Sequence, residues 1–256
     1  MGLNYRSLTG FSEQVSNLDL KKYWYKSTPN STCYKIPYQD SYLFIKVLEV
    51  PDKVTLMDDE QLLNICRSRN SNMLTHHDFI IGEEISDFGS VVKRVMVITD
   101  FVHNTDFFNT ITYLHANQQD LLAFIDSLIH SYNVMHSDDI LHKDVNINNI
   151  GFKKVKGKIE PIILDLNIYE FTSGGSIFTT PEFIDPDLDD FTNYSIVNER
   201  WAIGVLIYYI YTFNFPFYNR INNYKKFNIE DLMSLRYDLL PDKYSELIKL
   251  FFRLSI

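Results

Sequence analysis

The sequence predicts an α+β fold in two unequal parts, a small antiparallel sheet carrying one helix and then a mostly helical region. Three observations carry this expectation. Between Lys21 and Phe101 short β-prone runs alternate with turn formers; beyond Phe101 apolar residues recur at three- and four-residue steps; and no internal repeat, low-complexity tract or Pro- or Gly-rich linker intervenes.

The strands are expected at Tyr23-Trp24-Tyr25, Tyr34-Lys35-Ile36, Tyr42 to Val47, Phe79-Ile80-Ile81 and Val95 to Ile98, with one helix interrupting them at roughly Asp58 to Arg69. From Gln118 to Met135, residues Leu121, Phe124, Ile125, Leu128, Ile129 and Tyr132 define a helix with one buried face. A second helix covers Glu199 to Tyr211, and a third lies near Tyr244 to Leu254, after Pro241. One domain spans 1–256, with a small lobe over about 1–101 and a large lobe over about 102–256. Direct packing of the two would leave a ligand-sized crevice near Phe101 to Asn104.

The 256 residues, 45% of them hydrophobic, suffice for a substantial core. A net charge of −9 without a stripe of Lys or Arg argues against nucleic acid as a partner and suits a basic protein or peptide. Cys33 and Cys66 lack metal-ligand spacing, as does His76-His77, so no zinc site is expected and the two thiols point to a reducing compartment. No charged head precedes an apolar segment, and Ser7 falls one place late for myristoylation of Gly2, so the expected location is cytoplasmic. Gly204, Thr212, Asn214 and Pro216 interrupt the apolar stretch from Trp201 to Phe217, which excludes it as a membrane span. The richness in Tyr, Phe, Ile, Asn and Lys fits AT-rich viral or bacterial coding.

The chemistry concentrates in Ile140-Leu141-His142-Lys143-Asp144-Val145-Asn146-Ile147-Asn148-Asn149, where an Asp and an Asn stand five residues apart after an amphipathic helix. Further on, the apolar run Ile162-Ile163-Leu164 delivers Asp165. One carboxylate to orient a hydroxyl, with a second carboxylate and an amide oxygen to hold a hard divalent cation, is a phosphoryl-transfer set.

At this point the chain resembles the eukaryotic-type protein kinases, and the resemblance spans nearly its whole length. His142-Lys143-Asp144 through Asn149 looks like the catalytic loop of that family, and Asp165-Leu166-Asn167 like its metal-binding triplet. Thr179 to Asp187 is similar to the end of the activation segment, and Glu199-Arg200-Trp201-Ala202-Ile203-Gly204-Val205 to the central helix of the large lobe. Leu43-Phe44-Ile45-Lys46 resembles the strand that bears the phosphate-binding lysine, and Val97 to Val102 the hinge.

The resemblance implies a bilobal kinase-like fold, with ATP and Mg2+ as cofactors and transfer to Ser or Thr hydroxyls of protein substrates. It implies that Asp144 orients the hydroxyl with the help of Thr180, that Asn149 and Asp165 hold magnesium, and that Lys46, paired with Glu60, grips the phosphates. Thr99, Asp100 and Val102 would face the nucleotide base at the hinge, and His142 would support the loop as a packed histidine. Lys143 is placed to receive a phosphate on Thr172, Ser173, Ser176 or Thr179.

Four departures from the family pattern stand out. Ser27-Thr28-Pro29-Asn30-Ser31-Thr32 holds no glycine where a Gly-rich phosphate loop is expected; Phe44 replaces a small residue; Asn146 replaces a lysine; and Asn167 replaces a glycine. They motivate an alternative, a pseudokinase that keeps the fold and acts by binding. A small-molecule kinase is a second alternative, against which the Thr180 to Asp187 segment speaks. The final helices look shortened after Leu254, which leaves room for a regulatory partner on that surface.

Overall fold

A computed structural model of the chain describes residues 5–11, 19–28, 31–51, 54–85, 91–171, 180–188, 191–216 and 234–254. Two compact units emerge, Met1–His103 with Ile168–Thr172 and Asn104–Asn167 with Ser173–Ile256. The expected α+β class is what the structure has, strands concentrating in the first unit and helices in the second.

The sheet of the first unit runs in the order β1 (Arg6–Ser7), β6 (His76–Ile85), β7 (Val91–Asp100), β4 (Ser41–Glu49), β3 (Ser31–Tyr38) and β2 (Trp24–Thr28). Every neighbouring pair is antiparallel. Successive side chains take opposite faces of a strand. Leu43 and Ile45 of β4 therefore share one face with Ile36, Ile80 and Ile98, and Tyr5, Phe11, Leu20 and Tyr23 pack over that cluster. Phe44 and Lys46 lie on the other face, directly across from Thr99 and Val97 of β7, with Cys33 of β3 on the far side of Lys46.

Arg6 and Ser7, for which the sequence offered no structure, form an edge strand. A bulge between His76 and Asp78 interrupts the register of β6, and the fully buried Asp78 carboxylate accepts the N–H groups of Leu8 and Thr9 at 3.0 Å each, together with the Ser7 hydroxyl. The Tyr5 ring lies so close over Gly82 that a Cβ there would force the ring to shift.

Helix α1 (Asp59–Arg67) starts at a capping box in which Asp58 and Gln61 each satisfy the other's backbone N–H, and it buries Leu62 and Ile65. The short strand β5 (Val54–Leu56) ahead of it pairs with β10 (Tyr169–Phe171), and Gln61 Nε2 donates to Glu170 at 3.2 Å. Neither short strand carries enough alternating residues to have been read from sequence.

The second unit holds α2 (Phe107–His115), α3 (Gln118–Ser137), the hairpin of β8 (Ile150–Val155) and β9 (Lys158–Ile163), α4 (Ile196–Thr212) and α5 (Asp242–Phe251). Lys156 and Gly157 turn the hairpin with φ of 49° and 85°, the doubly left-handed geometry that matches strand twist. Every residue of α4 from Trp201 to Ile210 is buried, so this helix is a core element with no polar face. A Cβ on Gly204 would meet the Phe252 ring at 2.9 Å, which is how closely the segment after α5 packs against it. Among the described residues no helix is long and apolar enough to cross a membrane.

Candidate active site

The site in the second unit is built on the loop that follows α3. Asp139 turns the chain with a left-handed φ of 55°, and the Ile140 N–H returns to the Met135 carbonyl at 2.8 Å. His142 is fully buried, and its Nδ1 accepts the Asp144 N–H at 3.2 Å. The proton therefore sits on Nε2, which donates to the Leu164 carbonyl at 2.8 Å. The His142 carbonyl accepts the Asn167 N–H at 3.0 Å, so this one residue ties the loop to the chain on both sides of Asp165. Leu164 N–H also reaches the Asn149 carbonyl at 2.9 Å. Asp144, Asn149 and the Asp165 segment are thus brought together, with the packed His142 the sequence implied as the connector.

Two amides hold the Asp144 carboxylate. Asn146 Nδ2 donates to Oδ1 at 3.0 Å and Asn149 Nδ2 donates to Oδ2 at 3.0 Å, and both also reach the Asp144 carbonyl, at 3.1 and 2.9 Å. With its nitrogen committed to Asp144, the Asn149 amide has its oxygen left for another ligand.

Beneath the loop lies a carboxylate that the sequence had placed only as part of a helix. Glu199 is 0% exposed; its Oε2 accepts the Lys143 N–H at 2.9 Å and the Tyr194 hydroxyl at 3.5 Å, and its Oε1 pairs with His136 Nε2 at 2.8 Å. Lys143 has a φ of 62°, a conformation that costs a non-glycine residue on the order of 1–3 kcal/mol. The bond to Glu199 helps hold it there. Burial, and then the nearby Glu199 charge, pushes the Tyr132 and Tyr194 hydroxyls well above the ordinary phenol range, so both stay neutral.

Thr180 opens the 3-10 turn Pro181–Phe183, its carbonyl accepting the Phe183 N–H at 3.0 Å; it stands on that turn and outside the set bonded to Asp144. Just beyond, Arg253 bridges Asp185 and Asp187, and Asn198 Nδ2 donates to Asp185 at 2.9 Å. The sequence reading missed this two-headed arginine. Thr172, Ser173, Ser176 and Thr179 lie outside the described residues.

In the first unit Lys46 is half-buried in the middle of β4, on the face it shares with Phe44. Thr99 is 3% exposed, and its hydroxyl donates to the Asp100 carbonyl at 3.2 Å. Asp100 has an exposed carboxylate that bonds His77 Nε2 at 2.7 Å; that bond holds it below the usual carboxylate range. Val102 is half-buried beside Phe101. The capping box sets the start of α1 so that Glu60 falls in its first turn, exposed to solvent, where negative charge favours the helix N-terminus; among the described residues no ion pair joins it to Lys46. Around Phe44 the rings of Tyr25 and Phe101 meet it at 6.2 Å each and one another at 5.6 Å.

Set beside known proteins, residues 31–251 match the family described as protein kinase domain. The chain belongs to the protein kinase family. Relatives of this kinase-family chain include the RAC serine/threonine-protein kinase of Drosophila melanogaster, 26% identical over 69% of this chain and 28% of its own length. Human death-associated protein kinase 2 is 24% identical over 68% and 46%. Serine/threonine-protein kinase 1 of Heliothis zea nuclear polyhedrosis virus is 22% identical over 61% and 58%. The chain spans less than two thirds of the length of these curated relatives. Among solved structures, a crystal structure of Rad53 1-466 in complex with AMP-PNP superposes with a TM-score of 0.61 at 16% identity, over 91% of this chain and 59% of that one; this likeness establishes the fold.

The kinase family implies a nucleotide and a magnesium ion. The residues present fit the ion, since Mg2+ is commonly held by one or two carboxylates with substrate phosphates, and Asn149 offers an amide oxygen on the loop tied to Asp165.

Proposed function

We propose that this chain is a protein kinase domain that transfers the γ-phosphoryl group of ATP to Ser or Thr hydroxyls of protein substrates. The observation that carries this reading is the pair of amides, Asn146 and Asn149, that fixes the Asp144 carboxylate on a loop tied to Asp165. A carboxylate so fixed can accept the proton of an attacking hydroxyl, while Asn149 and Asp165 would hold the metal and Lys46 the phosphates. Magnesium, when bound, would neutralise charge on the phosphates. Phosphoryl transfer depends mostly on positioning and electrostatics, so fixed groups matter more than reactive ones. The net charge of −9 favours basic protein substrates, and two cysteines without a disulfide between them suit a reducing, cytoplasmic setting.

The test is a phosphotransfer assay on the intact chain with labelled ATP, Mg2+ and a basic protein, beside Asp144→Ala and Asp165→Ala. Transfer by the wild type that falls at least about 100-fold in both variants supports the reading. Absence of transfer by a folded wild type removes it.

A second reading, a pseudokinase that acts by contact, is favoured by the Tyr25, Phe44 and Phe101 rings clustered on the face that bears Lys46. Thermal-shift titration separates the two, because a ligand that binds only the folded state raises its stability with concentration. No shift with ATP and Mg2+, restored by Phe44→Ala, would favour the pseudokinase.

A further inference from the structure

We propose that strand β2 is a docking edge for an acidic peptide segment of a partner protein, which adds to the sheet as one more strand. Strand β2 closes one end of the six-stranded sheet, and among the described residues no strand pairs with its outer side. All five of its residues, Trp24 to Thr28, are exposed. The opposite end of the sheet differs, since β1 has two residues and Arg6 there is engaged by Asp59. An open strand of this kind offers a row of backbone N–H and C=O groups to a chain that can lie alongside it.

The charge at this edge runs against that of the whole chain. From Asp19 to Tyr38, Lys21, Lys22, Lys26 and Lys35 stand against the single carboxylate of Asp19, in a chain whose net charge is −9. Lys21, Lys22 and Lys26 are exposed, and Asp19 reaches Lys22 only at 3.8 Å, with both side chains more than half in solvent. On the neighbouring strand β3 the Lys35 ammonium lies over the Tyr42 and Phe101 rings, at 4.2 and 4.0 Å. Beside these charges Trp24 is 61% exposed and Tyr25 45%, and both residue types anchor interfaces.

Lysines on an edge strand turn most other strands away, and that narrows the occupant. A second copy paired across a two-fold axis would set the two Lys21–Lys26 stretches against each other, and like charges across a ladder destabilise it. Nucleic acid or an anionic lipid surface would match the lysines, but phosphates only accept hydrogen bonds at neutral pH and leave the carbonyl groups of the edge without donors. A peptide with Glu or Asp at alternate positions meets both demands. Its backbone brings donors and acceptors at strand spacing, and its carboxylates meet the ammonium groups.

The test uses the full chain without nucleotide, so its outcome is independent of phosphoryl transfer. The probe is a dye-labelled peptide of alternating Glu and Val, followed by fluorescence anisotropy. Beside it stand the same peptide with Lys in place of Glu and the same peptide N-methylated throughout. With unlabelled peptide, Trp24 reports the place of binding, because the other tryptophan, Trp201, is 2% exposed. The expected result is binding of the acidic peptide alone, with acrylamide quenching of the Trp24 emission lowered about twofold. Lys22→Glu combined with Lys26→Glu weakens binding about tenfold. Raising salt from about 0.05 M to about 0.5 M weakens wild-type binding several-fold, a measurement that needs no variant to fold. No binding of the acidic peptide overturns the proposal, and so does equal binding of its N-methylated form, because charge alone then suffices. Tighter binding of an oligodeoxythymidylate or of phosphatidylserine vesicles than of the acidic peptide also overturns it and assigns the lysines to that partner.

Discussion

Glu199, buried in the core helix α4, accepts the backbone N–H of Lys143, 56 residues earlier, at 2.9 Å, and so anchors the loop that carries Asp144. The same carboxylate holds His136 Nε2, whose other ring nitrogen has no partner among the described residues. Removing Glu199 takes an acceptor from the Lys143 N–H, the His136 ring and the Tyr194 hydroxyl at once.

Glu199→Ala is expected to cost about 3 kcal/mol, because the Lys143 N–H and the His136 ring nitrogen lose their acceptor together. At about 2–4 °C per kcal/mol for a chain of this size, calorimetry should show a drop in Tm of roughly 10 °C. Glu199→Gln keeps an acceptor oxygen and should lose less than half as much.

Arg253→Ala leaves Asp185, which is 2% exposed, with the uncharged donors of Asn198 and the Asp187 N–H, and is expected to destabilise by about 2 kcal/mol in urea melts. Because separate guanidinium nitrogens reach Asp185 and Asp187, Arg253→Lys should restore less than half of that loss.

The bond from His77 holds the Asp100 carboxyl below its usual range, with a smaller contribution from Thr75. A carboxylate lowered on folding contributes stability that is fully present above its unfolded pKa, about 3.9, and lost as pH falls through the folded value. His77→Ala removes the lowering, so its urea midpoint should decline less steeply than that of the wild type between about pH 4 and pH 2. Parallel slopes would contradict this.

Burial pushes the Cys66 thiol up to about 12, and Cys33 in strand β3 is 1% exposed. Thiolate is the reactive form. A thiol reagent at pH 8 should label neither cysteine in the native chain and both in urea, and fast native labelling of Cys66 would contradict the structure.

The parts of the site legible in sequence are local. Asp144 and Asn149 share one short loop, and Asp165 follows an apolar strand whose hairpin partner starts next to Asn149, so spacing alone brought the three into one hypothesis. Glu60 shows the limit of spacing: counting residues from Lys46 reached α1, but the capping box between Asp58 and Gln61 turns Glu60 to solvent. Arg253 was illegible because its carboxylates stand 66 and 68 residues away, and no periodicity marks such a meeting.

Taken alone, the order of residues determined the strand and helix classes, the family resemblance and the loop that bears the acid, since hydrophobic period and short-range spacing are properties of neighbours along the chain. Folding decided which distant groups hold that loop still. The anchor at Glu199, the docking of Ser7, Leu8 and Thr9 on Asp78 and the amide grip on Asp144 arise because buried polar groups must find partners. Which partners are within reach is a property of packing in three dimensions.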